Sequence, residues 1–179
     1  MKFTGFKNWL FERKEQSLSY GCIMMGADIP DWNEKISIIN KKDIYEKDGD
    51  FGYEKEPHIT ILYGIHDNEV DRDRIYEEIE RIYPIEATIT QISIFENPEY
   101  DVVKFDIPLD EDLADYRKYF LMIFPNTQNF PEYRPHITIA YCIKGTGRKY
   151  VQNIEPFTVT FNTSIYSSPN DEKKIFELT

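Results

Sequence analysis

Two five-residue segments of the chain are identical: Pro57-His58-Ile59-Thr60-Ile61 and Pro135-His136-Ile137-Thr138-Ile139. They hold two of its three histidines. In an extended strand, side chains alternate between faces, so His58 and Thr60 point one way, as do His136 and Thr138. The four isoleucines then fall on the opposite, packed face. If the two strands lie side by side, they line a cleft with two imidazoles and two hydroxyls. That set suits phosphodiester chemistry. One histidine takes a proton from an attacking water or ribose 2′-hydroxyl, and the other protonates the leaving oxygen. The threonine hydroxyls hold the non-bridging oxygens as charge grows on them. A single His-x-Thr is too short to mean anything, whereas two identical pentapeptides in matching contexts are informative. A repeat serving only as strand would need the Pro and Ile residues, with less reason to carry His and Thr twice.

The elements that must position these residues can be read from pattern. Ser19 to Ala27 is a continuous apolar run and reads as a buried strand. Asp31 is a candidate N-cap for a helix over Trp32 to Asn40. The charged stretch Lys41 to Glu56 reads as a solvated loop or a flexible lid. His58 to Ile65 and His136 to Ile143 are the motif strands. Asn68 to Tyr83 is helical, with Val70, Ile75, Ile79 and Ile82 on one face. Glu86 to Phe95 and Val102 to Ile107 are strands joined by a turn, and Asp110 to Ile123 is a helix with acidic residues in its first turn. Phe157 to Asn162, Ser164 to Tyr166 and Lys174 to Glu177 read as closing strands. Phe3, Phe6, Leu10 and Phe11 fall at helical spacing, so residues 1–17 read as an amphipathic extension of a single domain spanning 1–179. Strands and helices mixed in this order predict an α+β fold of two similar halves.

Further residues earn a place by position. Tyr20 opens the first strand, and Phe130 and Tyr133 lie in the loop before the second motif. All three are candidates to stack on a base or bind a phosphate, with core or rim packing as the plainer alternative. Tyr63 and Tyr141 have the parity opposite to the His-Thr pairs and are expected in the core. His66 has the parity of His58 but reads as a rim residue, and Trp32 as a helix-start core residue. Arg134, Lys144, Arg148 and Lys149 give positive charge near the second motif, to attract phosphates or as a solvated turn.

Composition bounds the partners. The net charge of −11 argues against a grip on long or duplex nucleic acid but leaves room for a small anionic substrate. Cys22 and Cys142 lie in strand-like runs without a CxxC pair, so a reducing, cytoplasmic setting without disulfides is expected. No metal site or cofactor is expected from three histidines and two isolated thiols. No signal peptide or membrane span is expected either. Oligomeric state is not legible.

With both motifs in view, residues 18 to 178 resemble the 2H phosphoesterase superfamily, whose members carry paired H-x-[ST] strands. These include RNA 2′,3′-cyclic phosphodiesterases, RNA-ligase-like enzymes, 2′,5′-oligoadenylate phosphodiesterases and phage anti-CBASS phosphodiesterases. The resemblance implies a bilobal, pseudo-symmetric fold of two antiparallel sheets flanked by helices around a central cleft, with His58, Thr60, His136 and Thr138 as the catalytic tetrad. It implies a metal-independent hydrolase. The size, acidic charge, Tyr/Phe content and N-terminal Phe6-x-x-Trp9-Leu10-Phe11-Glu12 look like a small phage-encoded protein. The substrate expected on that footing is a cyclic oligonucleotide second messenger, with host cytoplasm as the site of action. The alternatives are an RNA-end 2′,3′-cyclic phosphodiesterase and a non-catalytic nucleotide-binding protein.

Overall fold

The structure is a computed structural model, which describes residues 19–47, 50–129 and 132–179. The N-terminal extension with Phe3, Phe6, Leu10 and Phe11, and also Phe130, lie outside the described residues.

The elements, in chain order, are β1 (Tyr20–Asp28), α1 (Trp32–Ile36), a short hairpin β2 (Glu46–Lys47) and β3 (Asp50–Phe51), and the first motif strand β4 (His58–His66). Then come α2 (Arg72–Glu80), β5 (Ile85–Glu96), β6 (Tyr100–Asp106) and α3 (Glu111–Ile123). The second motif strand β7 (His136–Ile143), β8 (Gln152–Ser167) and β9 (Lys173–Glu177) complete the chain. The order β4-β1-β8-β5-β6-β7 forms one antiparallel sheet, with β9 added on β8. The fold is α+β, as expected.

The join between the halves is where pattern reading falls short. The residues read as two closing strands are one 16-residue strand, β8. Its first part pairs with β5 and its last part with β1, so it stitches both halves into one sheet. Val159 and Phe161 face inward, and so do Ser164 and Tyr166; the phase changes at Asn162, where the β1–β8 register slips. A β-bulge of this kind leaves one residue unpaired and reverses parity beyond it. In sequence it looks like a strand end.

β4 and β7 are at opposite ends of the pairing order, yet they contact each other. The sheet therefore bends until its two motif strands meet. One apolar cluster holds that shape. Ile23, Met25, Ile59, Leu62 and Ile65 from β1 and β4 join Ile75 and Ile79 of α2 and Phe120 of α3, all fully buried. Each such side chain contributes about 1.5–3 kcal/mol by leaving water.

Both long helices start on the expected kind of cap. Asp71 accepts from Asp73 N, and Asp110 accepts from Leu113 N at 2.8 Å, each satisfying a backbone donor that the first turn leaves open. The helix expected over Trp32 to Asn40 ends at Ile36, and Asp31 adopts a left-handed conformation (φ 58°) without capping through its side chain. Trp32 is anchored by its indole N–H, which donates to Glu54 O at 2.8 Å. The segment expected as a loop or lid runs along the outer edge of β7. Tyr45 N donates to Tyr141 O, Tyr141 N to Gly52 O, and Glu54 N to Ile139 O, at 2.8–2.9 Å.

Candidate active site

The site is built from the two pentapeptides, and their local geometry matches bond for bond. His58 Nδ1 is 2.7 Å from Glu56 O, and His136 Nδ1 is 2.8 Å from Arg134 O. A carbonyl can only accept, so each Nδ1 carries a hydrogen and Nε2 is the nitrogen left for proton transfer. The intervening prolines are anchored alike: Ala27 N donates to Pro57 O at 2.9 Å and Ile107 N to Pro135 O at 3.1 Å. Proline fixes its own φ and restricts the residue before it. The carbonyl that holds each imidazole is thus placed by the Pro of the motif.

Both strands then bulge at the same motif position. Between Thr60 and Leu62 the β1–β4 pairing skips Ile61, and between Thr138 and Ala140 the β6–β7 pairing skips Ile139. Ile61 with Leu62, and Ile139 with Ala140, are all fully buried. Parity reverses beyond the bulge. Tyr63 and Tyr141, expected in the core, therefore come round to the face of His58-Thr60 and His136-Thr138. β4 slips again at Gly64. There φ is 91°, and a Cβ would lie 2.2 Å from Thr127 O, so glycine is required. This second slip returns His66 to the histidine face. Both of its ring nitrogens are engaged, by Glu69 Oε2 at 3.1 Å and Thr127 Oγ1 at 2.8 Å, as suits a rim residue.

The neighbours of the two strands differ. Beside β4, strand β1 places Gly26 opposite His58, Met24 opposite Thr60, Cys22 opposite Tyr63 and Tyr20 opposite His66. The Tyr20 ring centroid is 6.0 Å from that of Tyr63 and 5.9 Å from that of His66. Burial pushes the Cys22 thiol up to about 12, against a hydrogen bond with the Thr60 side chain. Beside β7, strand β6 places Asp106 opposite His136, Lys104 opposite Thr138 and Val102 opposite Tyr141. Phe95 of β5 meets His136 edge-on, with centroids 4.9 Å apart. Burial pushes His136 down to about 4, helped by Lys104 and His58 and opposed by the Arg134 carbonyl and Asp106. The interaction with His58 places the two imidazoles in one electrostatic environment.

With two backbone-anchored His-x-Thr strands meeting in one bent sheet, comparison with known proteins is decisive. The family model described as the 2′-5′ RNA ligase superfamily matches residues 53–163, which include both motifs. The chain belongs to this superfamily, that of the 2H phosphoesterases. A solved structure titled "Crystal structure of phosphoesterase" is similar over 88% of this chain and 95% of that one, with 12% identity and a TM-score of 0.49. No curated protein matches the chain. Phosphodiesterase chemistry of the 2H type is the activity this membership supports.

Within this superfamily member, Tyr20 lies on the histidine face at the far end of β1. Tyr133 is placed differently from a free stacking ring. Its hydroxyl donates to Thr60 O at 3.0 Å, and the Arg117 guanidinium lies 4.5 Å from its ring centroid. Arg117 donates to Ile61 O at 2.7 Å and Gln128 Nε2 to Tyr63 O at 2.8 Å. Side chains from α3 and the following loop thus satisfy the outer edge of β4 around its bulge, as a backbone segment does for β7. The cations near the second motif are paired: Arg134 with Glu132, Lys144 with Asp101, Arg148 with Glu96 and Lys149 with Asp43. Sequence reasoning missed Ser93, Phe95, Lys104 and Asp106. The available signal was a lysine in the middle of an apolar strand, Val102-Val103-Lys104-Phe105. Among the described residues, no three His, Cys, Asp or Glu side chains are grouped to hold a metal ion, and no helix is long and apolar enough to cross a membrane.

Proposed function

We propose that the protein is a metal-independent phosphodiesterase for small nucleotide phosphodiesters, with His58, Thr60, His136 and Thr138 as its catalytic tetrad. The observation that carries this is the duplicated Nδ1-to-carbonyl anchor, which commits both imidazoles to proton transfer through Nε2. One Nε2 takes the proton of a neighbouring ribose hydroxyl as that oxygen bonds to phosphorus. The other gives its proton to the leaving 5′-oxygen as its bond to phosphorus breaks. The product is a cyclic phosphate, which water opens with the two roles exchanged. Thr60 and Thr138 donate to the non-bridging oxygens.

The substrate class we favour is the cyclic oligonucleotide second messenger, cleaved by a phage-encoded enzyme acting against CBASS defence in the host cytoplasm. Three features support it: the net charge of −11, which disfavours long RNA; motif strands β4 and β7 that contact each other; and Tyr20 on the histidine face as a candidate for stacking on a base. The second reading is an RNA-end 2′,3′-cyclic phosphodiesterase, favoured by the name of the matching superfamily.

Incubation with cyclic di- and trinucleotides, linear 2′–5′ oligomers and 2′,3′-cyclic-ended RNA separates these substrates. Ring opening of a cyclic oligonucleotide, unaffected by EDTA, is expected. Cleavage of the RNA ends alone would replace the first reading with the second. Strong inhibition by EDTA would overturn the metal-independent mechanism, and binding without turnover of any substrate would leave a nucleotide-binding protein.

A further inference from the structure

Three strands contribute a polar cluster to the histidine face of β7. The register sets Ser93 of β5 beside Lys104 of β6, and Lys104 beside Thr138 of β7. Lys104 is 4% exposed. Its Nζ donates to Ser93 Oγ at 2.7 Å and to Asp106 Oδ1, and it lies 4.2 Å from the Phe95 ring centroid. Ser93 Oγ donates to the same Asp106 oxygen at 2.7 Å. The ammonium is therefore held in one place, and the Phe95 ring touches both it and His136.

The fold does not demand a cation there. In the other half, the residue opposite Thr60 is Met24, equally buried and apolar. Burying an ammonium is costly where a thioether would pack. The lysine calls for a role in the chemistry of its own half.

We infer that Lys104 is a positioning residue that sets the direction of proton transfer, making His136 the base and His58 the acid. The inference rests on the phosphodiesterase reading of the two histidines. Burial disfavours charge on the His136 ring, and a fixed cation one register step away adds to that. The groups facing His136 are Lys104 and Asp106 on β6, His58 on β4, the Arg134 carbonyl ahead of β7, and uncharged Phe95 on β5. Asp106 pulls the other way. Its side chain is 38% exposed and shared with Lys104 and Ser93, whereas that of Lys104 is 5% exposed, so the cation is the less screened of the two. His136 Nε2 then accepts the proton of the attacking hydroxyl as the new oxygen–phosphorus bond forms. His58 Nε2 protonates the oxygen whose bond to phosphorus breaks. The charge on Lys104 also offsets the negative charge growing beside Thr138.

The test is an NMR titration of the histidines in the substrate-free protein, paired with the pH profile of kcat/KM. Lys104→Met should raise the His136 midpoint by about one pH unit or more. Asp106→Asn should lower it, and the acid limb of kcat/KM should move the same way in each variant. Lys104→Arg, which keeps the charge, should stay near wild type. Shifts in one direction for both charge-removing variants, no shift in either, or an acid limb that follows His58 would overturn the assignment. Asp106→Asn keeps an acceptor for Lys104 and Ser93, and it carries the test should Lys104→Met fail to fold. If the wild type cleaves nothing, the phosphodiesterase reading fails while the titration still shows whether Lys104 controls His136.

Discussion

β4 and β7 carry the same five residues, the same anchored imidazole and the same bulge after the threonine, but they sit beside different strands. β1 gives His58 and Thr60 a setting of glycine, methionine, thiol and tyrosine. β6 gives His136 and Thr138 a setting of lysine and aspartate under a phenylalanine ring. Their outer edges differ as well: β7 is covered by backbone from residues 45–54, and β4 by the side chains of Arg117, Gln128 and Tyr133 around its first bulge, with backbone of residues 125–127 only beyond it. The lesson is that a repeated motif repeats its own side chains and their anchors, while its neighbours decide how alike those groups behave. Two chemically identical imidazoles become unlike through the strand next door.

The sharpest way to break this comparison is to remove each histidine. His58→Ala and His136→Ala should each cut kcat by about a thousand-fold or more while leaving the circular dichroism spectrum unchanged. If both single variants still turn over substrate, the paired acid–base scheme is wrong. Thr60→Val and Thr138→Val come next. Each should lower kcat by about 100-fold with little change in KM, because the hydroxyls act on charge that develops only in the transition state.

The tyrosines beyond the bulges test whether the halves diverge as their neighbours suggest. Tyr141 packs against Phe51 and Tyr100, with centroids 5.2 and 5.6 Å away, so Tyr141→Ala should cost about 3 kcal/mol in denaturant unfolding. Tyr63 faces Tyr20, so Tyr63→Ala should chiefly raise KM, by about tenfold. Equal stability losses in the two variants would erase the distinction.

Acid stability should also be one-sided. His136 is held below its ordinary value of 6.5, at about 4, so the unfolded chain binds its proton first. The contribution is present above 6.5 and is lost as the pH falls towards 4. His136→Asn should flatten that part of the stability curve, measured by urea unfolding across the window. The smallest effect is expected from Tyr133→Phe, which removes one bond to Thr60 O. About 1 kcal/mol of stability and a few-fold loss in kcat should result.

Much of this was legible without coordinates. The α2 face followed from the period of Ile75, Ile79 and Ile82, and α3 from the run Asp110 to Ile123 with acidic residues in its first turn. β7 runs over the residues its pattern marked, His136–Ile143. The pairing of His with Thr on one face also followed from strand parity, because both bulges fall just after the threonine, at Ile61 and Ile139. What failed had two causes. Tyr63, Tyr141 and the unity of β8 were misjudged because a bulge reverses parity and leaves no mark in the alternation of apolar and polar residues. The segment over Lys41 to Glu56 looked like a solvated loop because its charged residues hide a backbone that pairs with β7.

The sequence alone therefore determined the candidate reacting groups, their strands and their common face, since these depend only on residue type and a period of two. Tertiary structure decided which side chains surround each histidine. Lys104 and Asp106 reach His136 only through the register between β6 and β7, and Tyr63 shares a face with Tyr20 only through the slip at Ile61 in the pairing of β1 with β4. Register is a property of two strands at once, so neither strand's sequence states it.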